Sequence, residues 1–160
     1  MLLYHGSNVV VEKPEIIIGS RGLDFSSGFY TTSNYEQALR FTENVVRRKK
    51  CGQRIVSFYD ADEKKIFADC SFVKFNGADE KWLDFVAQNR TGTYNGDKYD
   101  LIIGPVANDT VYNVINLYLD GIYTKEEALK RLKIQELFNQ WTFCSEKSLA
   151  LLKFKKSEII

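Results

Sequence analysis

Leu2-Leu3-Tyr4-His5-Gly6-Ser7 and Gly28-Phe29-Tyr30-Thr31-Thr32 are the two stretches on which the reading of this chain turns. The first is an apolar start that reads as a buried strand and runs straight into the only histidine of the sequence, a glycine and a serine. The second sets a glycine before two aromatic and two β-branched residues, a strand composition that Ser33-Asn34 cuts short. Ser33 or Asn34 is also placed to cap a helix, with Glu36 supplying early negative charge. From there to about Lys50, apolar residues recur at Tyr35, Ala38, Leu39, Val45 and Val46 with helical spacing, and Phe41 lies on the side shared with Ala38 and Val45.

Further along, Ile16 to Ile18 reads as a short strand or ordered loop, Arg54 to Tyr59 as a strand and Lys65 to Phe72 as another, with Asp60 to Lys64 turning between them. Asp79 to Asn89 is helical. Leu101-Ile102-Ile103 is a continuous apolar run suited to a strand buried on both faces. Helices follow over Thr110–Leu119, stopped by Gly121, and from the capping-box pattern at Thr124 to about Leu132. Trp141 to Cys144 is a strand, Ser145 to Leu152 a short helix or turn, and Phe154 onward a last strand or tail. Strands and helices mix without regular βαβ alternation, so the expected class is α+β, in a single domain over 1–160.

The composition is that of an ordinary globular protein: 160 residues, 44% hydrophobic and 27% charged, with a formal net charge of +1. No overall field recruits nucleic acid, and the basic run Arg47-Arg48-Lys49-Lys50 reads as a solvated helix end. Cys51, Cys70 and Cys144 form no CxxC pair, and with one histidine they make no zinc set; reduced thiols point to a cytoplasmic setting. The N-terminus has no signal-peptide pattern, and no apolar run approaches the ~20 residues that span a bilayer.

The His5-Gly6-Ser7 and Gly28-Phe29-Tyr30 strings together resemble the nicotinamide-binding core of ADP-ribosyltransferases, in particular the His-Tyr-Glu class that includes the poly(ADP-ribose) polymerases. Asp24-Phe25-Ser26-Ser27-Gly28-Phe29-Tyr30 is similar to the polymerases' phenylalanine-x-x-glycine-apolar-tyrosine stretch. The resemblance implies two small antiparallel sheets split to form a cleft and flanked by helices, with NAD as substrate and no metal. It implies that Gly6 and Ser7 hold the nicotinamide amide, Gly6 because it lacks a Cβ and Ser7 through its hydroxyl. His5 would donate to a ribose hydroxyl. Tyr30 would stack on the nicotinamide, and the family's second stacking ring falls, counted without a gap, on Phe41.

The class's glutamate begins a late strand, and its counterpart in Asn139-Gln140-Trp141-Thr142-Phe143 is Gln140. Glutamine keeps the hydrogen-bonding shape but lacks the charge that stabilises an oxocarbenium-like ribose, and it cannot act as a base. That argues against polymer elongation and leaves single-unit transfer open. Asp24, Glu136 and Asp109 are candidate substitute carboxylates; Asn108-Asp109, just beyond the buried strand, edges a site or simply caps a helix. Arg21 and Arg90 are candidates for the pyrophosphate or plain surface arginines.

Over nearly its full length the chain also resembles a family of small, mostly bacterial proteins of unassigned function with an ADP-ribosyltransferase-like fold. The matching segments are Leu3–Ser7, Leu23–Tyr30, Tyr99–Asp109 and Gln140–Phe143. Some of those relatives look like parts of toxin–antitoxin modules, which implies a small protein partner. The expectation is a mono-ADP-ribosyltransferase with catalytic His5, Tyr30 and Gln140, and an NAD site that adds Gly6, Ser7, Gly28, Phe41, Asn108 and Asp109. The alternative is a non-catalytic module that binds NAD or ADP-ribose. The acceptor is not readable from sequence.

Overall fold

A computed structural model describes residues 1–18, 23–105, 109–133 and 139–160. Its elements are β1 (Leu2–Ser7), β2 (Phe29–Thr32), α1 (Tyr35–Lys49), β3 (Ile55–Ala61), α2 (Glu63–Asp69), β4 (Phe72–Lys74), α3 (Glu80–Thr91), β5 (Leu101–Pro105), α4 (Asp109–Leu119), α5 (Lys125–Lys133), β6 (Asn139–Phe143), α6 (Glu146–Leu149) and β7 (Leu152–Ile159). The class is α+β. The local signals for helices hold well: Asn34 caps α1 by accepting from the Gln37 N–H, and Asp79 caps α3 by accepting from that of Trp82. Gly121 sits at φ 74° just past α4, where a side chain would be strained.

One local expectation fails. Lys65–Phe72 is not a strand: Asp62 accepts from the Lys65 N–H and starts α2, which buries Ile66. Strand structure resumes only in the three-residue β4. Of the two readings for Ile16–Ile18, the structure gives the loop, tied by an isolated bridge from Ile17 to Gly28.

All seven strands join one sheet in the order β4-β5-β6-β2-β1-β3-β7. The expected pair of separate sheets is therefore corrected to one continuous sheet, because β2 pairs with a neighbour on each edge. Those two pairings are unequal. With β6 the register runs from Phe29↔Phe143 to Thr32↔Gln140, whereas with β1 it is the single pair Tyr4↔Thr32. On its other edge β1 is matched to β3 along its whole length, Leu2↔Asp60 to Ser7↔Ile55. The sheet is thus two well-knit parts, β4-β5-β6-β2 and β1-β3-β7, held by a narrow seam.

Side chains alternate across the sheet and give it two covered faces. Leu3, Phe29, Tyr59, Leu101, Ile103, Trp141 and Phe143 form one core, closed by Ile66 of α2 and Leu149 of α6. On the other face, α1 covers one part, where Ala38 packs with Val56 and Phe58. Helices α3, α4 and α5 cover the other part around Ile102 and Phe25. Tyr30 belongs to this second cluster.

Candidate functional site

The seam between β1 and β2 brings the two diagnostic strings together. Past Tyr4↔Thr32 the strands share no further ladder position, and the gap is bridged by a side chain: the His5 Nδ1–H donates to the Tyr30 carbonyl at 2.7 Å. A carbonyl only accepts, so this bond fixes the proton on Nδ1 and leaves Nε2 with its lone pair. Burial lowers the His5 pKa below its ordinary value of 6.5, and the Tyr30 carbonyl offsets part of that effect. The ring packs at 4.5 Å on Phe29 and is neutral at pH 7. His5 consequently offers a hydrogen-bond acceptor, which corrects the expectation that it donates to a ribose hydroxyl. Ser7, at the end of β1, is buried, and its hydroxyl has no hydrogen-bond partner among the described residues.

Tyr30 lies on the opposite face, opposite Thr142 of β6, and its hydroxyl donates to the Ser26 carbonyl. Ser26 holds a left-handed conformation at φ 69°, sparsely used by any residue but glycine and asparagine. Burial, reinforced by the nearby Asp24 charge and by Cys144, raises the phenol pKa, so Tyr30 is neutral. The turn that carries Ser26 is pinned from below. Asp24 accepts from the Arg90 Nε–H at 2.6 Å, with only 14% and 6% of the two side chains exposed. Arg90 also donates to Asn116 of α4 and lies 4.5 Å over the Tyr112 ring. That engagement accounts for both residues: Arg90 is not a surface arginine, and Asp24 is spent on it.

Gln140 is half-buried on β6, paired to Thr32 on one side and Gly104 on the other. Its Nε2 donates to the Thr142 hydroxyl at 3.2 Å, leaving its carbonyl oxygen without a partner among the described residues. His5, Tyr30 and Gln140 thus stand on three consecutive strands, β1, β2 and β6, with Tyr30 and Gln140 on the same face.

The remaining candidates are placed differently. A Cβ on Gly6 would come within 2.2 Å of the Ala38 carbonyl oxygen, so the close approach this glycine allows is that of α1. A Cβ on Gly28 would meet Thr142 at 2.7 Å and the Phe143 carbonyl at 2.9 Å. Phe41 stands on α1, 47% exposed, with no ring contact to Tyr30 among the described residues. Asp109 is the first residue of α4. Asn108, Arg21 and Glu136 lie outside the described residues.

Beside this seam lies a groove of about 580 Å³, walled by the turn Leu23–Ser27 on one side and by residues 92–99 after α3 on the other. Cys144 reaches its floor, where burial, then the Asp100 charge, pushes its thiol up to about 12. No described helix is long and apolar enough to cross a membrane.

Searches of curated proteins and of solved structures return no match to this chain. A family model does match, over residues 1–154, and on that extent the chain belongs to the family described as "Protein of unknown function (DUF3990)".

Proposed function

We propose that this protein is an NAD-dependent mono-ADP-ribosyltransferase with an ADP-ribosyltransferase-like fold, its cleft opening at the β1–β2 seam. The observation that carries the reading is the His5–Tyr30 bond across that seam, which sets the two strings that resemble the transferase core side by side. The neutral Nε2 of His5 accepts from a ribose hydroxyl and orients the sugar. Where the ladder ends past Tyr4↔Thr32 the nicotinamide enters the opening, so that the unpartnered Ser7 hydroxyl on one face serves its amide and the Tyr30 ring on the other, anchored at its hydroxyl, gives it a flat surface. In the reaction the C1′–N bond breaks and its electron pair passes to the pyridinium nitrogen. An acceptor lone pair closes on C1′, and the acceptor's proton leaves to solvent. Gln140 holds a ribose hydroxyl through its free carbonyl oxygen.

Gln140 also favours a second reading, a module that binds NAD without turnover, because a neutral amide gives no charge stabilisation to the departing ribose. Calorimetric titration with NAD, run on wild type and on folded His5→Ala and Tyr30→Ala variants, tests the shared premise. Wild-type binding that both substitutions weaken at least tenfold is expected; a folded wild type that does not bind NAD overturns both readings. Nicotinamide released in proportion to protein concentration selects the transferase, and tight binding without release selects the module.

A further inference from the structure

The groove beside the seam is a compartment of its own. Its volume, about 580 Å³, is that of a small-molecule site. The Ser26 carbonyl, on the turn that walls the groove, is committed to the Tyr30 hydroxyl, and neither His5, Ser7, Tyr30 nor Gln140 lines the groove. Phe85, Tyr94, Tyr99 and Ile102 give it an aromatic and apolar lining.

The wall is preformed. Residues 92–97 wrap Tyr94: its hydroxyl donates to the Asp97 carbonyl at 2.9 Å, and a Cβ on Gly96 would strike that hydroxyl at 2.7 Å. Two further bonds, from the Thr93 and Tyr94 N–H groups to the Gln88 carbonyl, tie the loop to α3, and the Tyr94 ring sits edge-on against Phe85 at 4.9 Å. Opposite, the Ser26 turn is locked by the Asp24–Arg90 pair and holds φ 69°, a cost that clusters where a binding surface is set in advance.

The polar groups at the rim are unspent. Asn89 donates its Nδ2 to the Phe85 carbonyl, which leaves Oδ1 as an acceptor. The Ser26 and Ser27 hydroxyls and the Lys98 ammonium have no hydrogen bond or ion pair among the described residues. Asp97 and Lys98 offset each other, so among the described residues the lining carries no net charge. Aromatic rings and uncharged hydrogen-bonding groups in one lining match a neutral, planar heteroaromatic ring that carries donors and acceptors on its edge. A phosphate or a carboxylate finds no cluster of cations among the described lining residues.

We propose that this groove binds the base of a nucleoside, separately from the seam. The same base could be offered free or within a single strand, and the chemistry of recognition is shared.

The test is titration of the whole protein with adenosine, guanosine, cytidine and uridine, each on wild type and on a folded His5→Ala variant. At least one nucleoside is expected to bind, with affinity unchanged by His5→Ala. Tyr99→Leu is expected to weaken that binding about tenfold through loss of stacking, Tyr99→Phe to retain it, and Asn89→Ala to change which base is preferred. A short single-stranded oligonucleotide that binds more tightly than its nucleosides, and less so as salt rises, assigns the strand as the source; equal or weaker binding assigns the free nucleoside.

Three results overturn the proposal: no nucleoside binding by folded wild type, binding lost in folded His5→Ala, or binding indifferent to Tyr99→Leu. The outcome is independent of the NAD reading. His5→Ala lies outside the groove, so loss of NAD binding with nucleoside binding intact separates the two sites, and nucleoside binding by a protein that ignores NAD sinks only the transferase proposal.

Discussion

Along β1 the two edges of one strand behave in opposite ways. Its β3 edge is a complete ladder, and β3 is matched in turn to β7 from Ile55↔Ile159 to Ala61↔Leu152 with one irregularity at Phe58/Tyr59. Its β2 edge keeps one backbone pair and then relies on an imidazole. The difference teaches where a sheet can carry a site. A full ladder satisfies its own N–H and C=O groups and leaves nothing for a ligand, whereas an opened one exposes them unless a side chain or a bound molecule steps in. The seam stays narrow because each part is fixed by its own helices: α1 on the β1–β3 side, and α3 with α4 on the other, through the turn before β2.

The largest effect on this comparison is expected from the ion pair that fixes the β2 side. Arg90→Ala removes the only ion-pair partner described for Asp24 and leaves a nearly buried carboxylate. Breaking such a pair costs roughly 3–5 kcal/mol, and Asp24's residual exposure places this one near the lower end. Urea unfolding should show it, and Asp24→Asn with Arg90→Gln together should recover part of the loss. A single substitution that changes stability by less than about 1 kcal/mol would mean that the turn is held without the pair, by Phe25 and the Tyr30–Ser26 bond.

On the other side of the seam, Gly6→Ala drives a methyl into helix backbone, at 2.2 Å from the Ala38 oxygen. Backbone cannot swing aside as a side chain can, so α1 must shift, at a cost of about 1–3 kcal/mol. Equilibrium unfolding of the variant measures it. A neutral result would show that α1 slides freely on β1, and that Gly6 is a glycine for some reason other than packing.

These two positions also show what was legible in the sequence. The glycine and the histidine announce themselves by residue type. So do the caps at Asn34 and Asp79, whose bonds span three residues and need nothing but local chain. The helix at Glu63–Asp69 was hidden because Ile66 and Phe67 are adjacent apolar residues, a pattern that alternation and helical packing both accept; the Asp62 cap was the missed signal. Joining of the strands into one sheet depended on β2 pairing on both edges, which no periodicity encodes. The Asp24–Arg90 pair links residues 66 apart in the chain, and only the fold brings them within reach. For the candidate site, residue identities were readable but the direction of the His5 bond was not. It follows from a carbonyl that sequence could not place.

That direction leads to the smallest and sharpest expectation. With burial lowering its pKa below 6.5, His5 resists protonation in the folded state more than in the unfolded chain. Above about pH 6.5 the ring is neutral in both states, and its contribution to stability is fully present. As pH falls below that, the unfolded chain takes up a proton first, and stability drops until the folded-state value is reached. Because the chain has one histidine, its ring resonance can be followed without assignment, and the midpoint should lie below 6.5. Carboxylates titrate over part of the same range, so the comparison is with His5→Gln, whose unfolding free energy should depend less on pH between about 6.5 and 5. A wild-type midpoint at or above 6.5 would mean that the imidazolium is accommodated. Below that midpoint its Nε2 would carry a proton, and the seam would present a donor and a positive charge where the geometry now offers an acceptor.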